Sequence, residues 1–191
     1  PTPAGHPYTV PPWNYAGSES VSSYANTIVD WILVSLRSPS MAVSDIQYRT
    51  AALLRNDGQV VLVNPHPSLA TNQSYYVVVE HRNHLGVMSP QPVAIQNGEL
   101  TWDFTLSQSY VSNSFGQKQI GTKYAMAAGD IRKVPTNQNF DINFGDYQPL
   151  QTQNGQFLQY LIGDVNLDAD VNFKDPVMLR LNSGFFSAVP R

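Results

Sequence analysis

The chain has 191 residues, 13% of them charged, and a formal net charge of −3. That length accommodates one large domain or an ordinary domain with a small module, and the sparse, slightly acidic charge excludes the broad basic footprint of a nucleic-acid binder. No apolar run reaches the roughly 18 residues a membrane-spanning helix needs, no charged-then-apolar leader is visible, and the absence of cysteine excludes disulfides and thiolate metal sites.

Residues 1–23 carry five prolines and close on Gly17-Ser18-Glu19-Ser20. Each proline fixes φ and removes a donor, so neither a helix nor a central strand is expected here. The segment reads as an extended arm, held by its own domain or by a neighbouring molecule. Trp13 and Tyr15 are its candidate partner-binding residues, because nothing in the arm itself would bury them. Exposed, they would stack on sugar rings or dock against a neighbouring subunit's sheet edge.

From Thr27 the texture becomes β-branched and aromatic. Ile28 to Arg37 reads as a strand; Arg49 to Arg55 and Gln59 to Val63 flank Asp57-Gly58, a hairpin signal. Ser74 to His81 is a further strand, returning over Leu85 to Ser89 across an Arg82-Asn83-His84 turn. Val93 to Ile95 and Leu100 to Thr105 follow around Asn97-Gly98, with Trp31 and Trp102 as core candidates. Short strands separated by turns, without a long 3.6-residue period, predict a mainly β, Ig-like antiparallel β-sandwich over 24–107.

Residues 108–191 read as a separate small module with short helices. Gln117 to Ala128 looks like a linker turning apolar. Gly129-Asp130-Ile131 answers Gly163-Asp164-Val165, and Asp141-Ile142-Asn143-Phe144-Gly145-Asp146 answers Asp170-Val171-Asn172-Phe173-Lys174-Asp175. This is a degenerate repeat over 129–146 and 163–182. Eleven positions separate Asp130 from Asp141 against six between Asp164 and Asp170, so five extra residues interrupt the first copy.

The second copy places Asp164, Asn166, Asp168, Asp170, Asn172 and Asp175 at positions 1, 3, 5, 7, 9 and 12 of a twelve-residue loop. An EF-hand-type loop offers oxygens at those positions to Ca²⁺, with a backbone carbonyl at position 7. Val171 at position 8 would anchor the loop on the core, and a helix is expected from about Asn172, with Pro176 in its first turn. Ala169 stands at position 6, where Gly normally supplies the turn, and Asp replaces the usual Glu at position 12. In the first copy Asp130, Asp141, Asn143 and Asp146 are the matching candidates. Arg132 and Lys133 fall at ligand places there, so Asn137, Gln138 or Asn139 would have to substitute.

These residues resemble a dockerin type I module, whose duplicated Asp-x-Asn-x-Asp-Gly-x-Val-Asn-x-x-Asp loop also ends in Asp. The wider chain, about 28–182, resembles domains of large secreted bacterial surface proteins in which similar strands precede such calcium repeats. The resemblance implies adhesin-like or accessory modules without catalytic activity.

Other candidate chemistry is thin. His81 and His84 flank a turn and read as solvated or hydrogen-bonding residues, with no third ligand near in sequence to complete a zinc set. Glu80, Glu99 and Asp103 show no spacing that selects a glycosidase pair. The expectation is therefore a secreted, non-enzymatic, calcium-stabilised structural or adhesive protein of the cell surface. It would associate with itself or with another surface protein, and filament formation through the arm would be one form of this. The alternative is a carbohydrate-binding or docking accessory module of a polysaccharide-degrading system.

Overall fold

The computed structural model of the chain describes residues 2–64, 69–70, 72–110, 116–131 and 140–190. Its central element is β1 (Ile28–Arg37), most of whose residues are buried on both sides, which is why its sequence is almost continuously apolar. β2 (Ile46–Arg55) and β3 (Val60–Leu62) follow across the Asp57-Gly58 turn. β4 (Ser74–Glu80), β5 (Val87–Met88) and β6 (Val93–Ala94) complete the sheet. Among the described residues these six strands form one antiparallel sheet in the order β3-β2-β1-β4-β5, with β6 also on β4. The register sets Trp31 opposite Leu53, Leu33 opposite Ala51 and Glu80, and Val34 opposite Val79.

The two faces are covered differently. On one, Trp31, Leu33, Ala51 and Leu53 pack against Tyr8 and Trp13 of the proline-rich segment. On the other, Ile32, Ala52, Val79 and Val87 pack with Phe104 and Met126, and Leu36 and Val77 pack with Tyr75, Ile95 and Trp102. The chain is thus mainly β and antiparallel with few short helices, a layered arrangement consistent with a sandwich. Its covering layers are the arm on one side and mostly irregular chain on the other.

Two expected elements differ from what forms. Residues 100–105 are not a strand: Asp103 accepts the Thr105 N–H (2.7 Å) and turns the chain, which lets Trp102 and Phe104 both face the sheet. Residues 117–128, read as a linker, contain the hairpin β7 (Gln117–Ile120) and β8 (Lys123–Met126). Met126 packs on the main sheet, so the segment from 108 onward begins as part of the β layer rather than as a separate module.

The arm is folded back on its own chain. Gly5 bridges Ser20, the Tyr8 hydroxyl donates to the Trp31 carbonyl (2.7 Å) and Trp31 Nε1 donates to the Pro3 carbonyl (2.9 Å). Trp13 is only 7% exposed, set edge-on against Tyr8. The expectation of an exposed Trp13–Tyr15 strip is corrected accordingly: the sheet face between β1 and β2 supplies the core that the arm lacks. Tyr15 is half-buried at the margin of the same cluster. Its hydroxyl donates to Glu19 Oε1 (2.6 Å) and lies 3.1 Å from the Arg49 carbonyl. Glu19 Oε1 also accepts from Thr50 Oγ1 (2.8 Å) and the Ala51 N–H (3.3 Å). β3 pairs only with Ala52 to Leu54, so Tyr15 and Glu19 satisfy the edge of β2 where β3 does not reach.

Beyond the hairpin, a 3₁₀ turn (Phe144–Asp146) leads into α1 (Tyr147–Gln153), and α2 is Lys174–Asn182. Leu150 and Leu179 pack with Ile131, Ile142, Val165 and Val171 around Leu85, Ala127 and Ala128. The helices therefore share one core with the β layer. Each helix ends before a left-handed glycine, Gly155 (φ 81°) and Gly184 (φ 92°), the position where a missing Cβ removes the steric cost.

Candidate metal centre

The second loop is folded around its own carboxylates. The Asp168 N–H donates to Asp164 Oδ1 (3.0 Å) and to Asn166 Oδ1 (2.9 Å), so these two oxygens converge on one amide. The Ala169 N–H donates to Asp164 Oδ2 (3.0 Å) and the Asp170 N–H to Asp168 Oδ1 (3.1 Å). Asp175 reaches back from the first turn of α2, accepting from Val165 N–H (2.9 Å), Asn166 N–H (3.4 Å) and Asn172 N–H (2.9 Å). Leu167 (φ 62°) and Ala169 (φ 72°) are left-handed, the path required at positions 4 and 6 although neither is glycine.

The matching segment upstream makes matching bonds. Asp146 accepts from the Ile131 N–H (2.9 Å) and the Asn143 N–H (2.8 Å), as Asp175 does from Val165 and Asn172. Asn143 Oδ1 accepts from Gly145 N–H (2.7 Å), as Asn172 Oδ1 does from Lys174 N–H (3.0 Å). Ile142 pairs with the strand-like segment after α2, donating to Phe185 O and accepting from Gly184 N–H. Val171 pairs with the segment after α1 in the same way, through Gln156 O and Gly155 N–H. Asp141 bridges Phe186 and Asp170 bridges Phe157. Phe140 (φ 49°) takes the left-handed conformation that Ala169 takes. The two loop–helix units are thus related by an approximate two-fold, each bracing the other.

Of the ten residues expected to hold calcium, Asp130, Asp146, Asp164 and Asp175 are buried, at 0–3% exposure. Asn166 and Asp168 lie within the second loop, where Asn166 Nδ2 donates to Asp168 Oδ2 (3.1 Å). Asp170 is drawn partly outward, its Oδ1 accepting from Leu158 N–H (3.2 Å). Asn172 and Asn143 cap their helical turns, and Asn143 Nδ2 donates to Asp141 Oδ1. Arg132, Lys133, Asn137, Gln138 and Asn139 lie outside the described residues. Among the described residues no three His, Cys, Asp or Glu side chains gather into a metal cluster, so any ion would depend on amide and backbone oxygens beside the carboxylates. The donors are all oxygen, which fits a hard cation. Burial pushes the Asp164 carboxyl up to about 6, and the charge of Asp175 adds to it, against the Ala169 amide and Arg82. A buried carboxylate held beside a second one is a place where a divalent cation would relieve the crowded negative charge.

Two cations near the loop carry no signal in the sequence pattern. Lys174 Nζ lies 2.9 Å from Asp168 Oδ2 at the surface. Arg82, in the expected turn after β4, is buried and lies 4.0 Å from Asp164 Oδ2. Its Nε donates to Asp30 Oδ2 (2.9 Å), and its guanidinium lies over the Tyr160 ring, 4.1 Å from the centroid. His81 is buried rather than solvated. Its Nε2 lies 3.3 Å from Asp30 Oδ2, and its Nδ1 lies 3.0 Å from His84 Nδ1, a hydrogen-bonding role.

The outer side of α2 carries three apolar residues beside the exposed Lys174 and Arg180. Phe173, Val177 and Leu181, 76%, 43% and 61% exposed, follow at helical spacing on one face. The matching places of the first unit are Phe144, 86% exposed, then Gln148 and Thr152. No helix among the described residues is long and apolar enough to cross a membrane.

No family model matches the chain, and no curated protein does. Two solved structures are similar to it, each over 82% of this chain and 83% of theirs. Both are type II cohesin–X-dockerin complexes from Acetivibrio cellulolyticus. One, an N-terminal interface mutant, is 14% identical with a TM-score of 0.47; the other, a C-terminal interface mutant, is 16% identical with a TM-score of 0.46.

Proposed function

We propose that the chain is a secreted, non-enzymatic docking module of a polysaccharide-degrading system. In this reading its carboxy-terminal half is a dockerin-like pair of loop–helix units clamped by Ca²⁺, and it docks on a protein of the cohesin type. The observation that carries the reading is the stripe Phe173, Val177 and Leu181, exposed at the start of α2 and along it, while Leu179 and Asp175 on its other side are buried. A helix held rigid by its loop and core, yet apolar outward, suits recognition through a helix face.

Calcium would be held by Asp164, Asn166, Asp168 and Asp175, with Asn172 and the Asp170 carbonyl completing the set. By binding only the folded state it would stabilise the loop by mass action. The amino-terminal arm gives this reading no support as a filament-forming or glycan-stacking element, because its aromatic residues are used in cis.

The test is titration of the full chain against a panel of type I and type II cohesin modules, with calcium and with EDTA. Binding in calcium, lost on chelation and weakened at least about tenfold by Phe173→Ser with Leu181→Ser, is expected, since central apolar anchors dominate such interfaces. A panel without a binder would overturn the docking reading.

A further inference from the structure

Arg82 stands where the sheet meets the second loop, and its guanidinium bonds to both. Nε donates to Asp30 of β1 (2.9 Å), Nη1 donates to the Leu161 carbonyl, and the plane covers Tyr160, while Nη2 stands 4.0 Å from Asp164 Oδ2, an ion-pair distance without a hydrogen bond. Tyr160 in turn donates its hydroxyl to Asp30 Oδ1 (2.5 Å). Asn83 extends the grip, its Nδ2 donating to the carbonyls of Ile162 (3.1 Å) and Asp164 (2.6 Å). The run-in to the loop, 160–164, is therefore held by two consecutive residues that follow β4. Asp30 is fully buried and depends on these partners, because an unpaired carboxylate in that setting is costly.

We propose that Arg82 is a positioning residue that couples ion occupancy of the second loop to the stability of the β-sheet. The inference rests on the calcium reading of Asp164. An ion that fixes Asp164 fixes the surface on which Arg82 closes, and so favours the Asp30–Arg82–Tyr160 arrangement in the sheet. Loss of the ion frees residues 160–164 to withdraw, leaving Asp30 with fewer partners. Coupling free energy is reciprocal, so the sheet contributes to ion affinity by the same factor. The packing of Leu85 and the hydrogen bond from Ser187 Oγ to the Gly86 carbonyl (2.6 Å) hold the two halves together independently of Arg82.

The three tryptophans, Trp13, Trp31 and Trp102, all pack on the sheet, so tryptophan fluorescence follows the sheet alone, while calorimetric titration with calcium chloride follows the loop. For the unaltered full chain, chelation is expected to lower the tryptophan-reported Tm by about 5 °C, the size expected for one or two kcal/mol in a chain of this length. In Arg82→Met, calcium still binds but the chelation shift falls below about half of that value. Tyr160→Phe, which keeps the ring and removes one hydroxyl, gives an intermediate shift and carries the test if Arg82→Met does not fold. A chelation shift in the variants equal to that of the unaltered chain, or no shift in an unaltered chain that binds calcium, would overturn the coupling. Absence of calcium binding to the unaltered chain would overturn the calcium reading and the coupling together.

Discussion

Asp146 and Asp175 make the same pair of hydrogen bonds in two different parts of the chain. Each accepts one amide just after its loop's first aspartate, Ile131 or Val165, and one from the asparagine at its helical turn, Asn143 or Asn172. Each closes its loop with a side chain that is 1% exposed or less. The closure is built from the protein's own amides, so part of the loop's shape is held by the chain itself.

Asp175→Ala therefore leaves two or three loop amides without an acceptor, at least one of them buried. The expected cost is about 2–4 kcal/mol of stability, read as a lower urea midpoint in EDTA. A loss under about 1 kcal/mol would mean that water replaces the carboxylate. Asp146→Ala should cost a similar amount, since its bonds match.

Ala169 adopts φ 72° with a Cβ that disfavours it. Ala169→Gly is expected to raise stability by about 0.5–1 kcal/mol in the absence of calcium, relief of strain exceeding the added freedom of the unfolded chain. Urea unfolding measures this directly, and a destabilised variant would show that the alanine methyl group is packed rather than strained.

Glu19 accepts at Oε1 from Tyr15, Thr50 and the Ala51 N–H. Glu19→Ala is expected to cost about 2–3 kcal/mol through these buried donors, and to open the edge of β2 beside the exposed residues of β3, Val60, Val61 and Leu62. An uncovered apolar edge promotes pairing between chains. Light scattering of the concentrated variant should rise with time, and an unchanged monomer would show that the arm is dispensable as edge protection.

Burial pushes the Asp30 carboxyl up, but His81, Arg82 and Tyr160 outweigh it and hold it well below the usual carboxylate range. A carboxylate depressed in the folded state contributes stability that is in place above its unfolded value near 4, and that is lost as pH falls toward the folded value. Stability should accordingly drop below about pH 4. Asp30→Asn is expected to lose about 3 kcal/mol at neutral pH and to flatten that acid limb. An acid limb as steep as that of the unaltered chain would assign the effect to other carboxylates.

Much of the local structure could be read from the residues. The apolar runs and turn chemistry around Asp57-Gly58 placed β2 and β3 within a few residues, and the β-branched and aromatic run at Ile28 placed β1. The matched hexads ending in Asp146 and Asp175 pointed to two copies of one unit before any hydrogen bond was seen. Other elements had no such signal. Leu100 to Thr105 has strand composition, yet the Asp103 side chain competes for the backbone and turns it. Gln117 to Met126 lacks an apolar pattern, because that hairpin is most buried at its Gln117–Met126 end and exposed toward its turn.

The sequence by itself determined the spacing of oxygens from Asp164 to Asp175, the left-handed demand at Ala169 and the strand runs bounded by turns, because these depend on neighbours a few residues apart along the chain. Only the tertiary structure decided that Trp13 is core and that Glu19 seals a sheet edge. It also decided that Arg82 joins Asp30 to Asp164 and that the outer side of α2 stays open. Those facts depend on burial and on charges brought together across 52 and 82 residues of chain, and a buried charge takes the partner that the fold supplies rather than the one nearest in sequence.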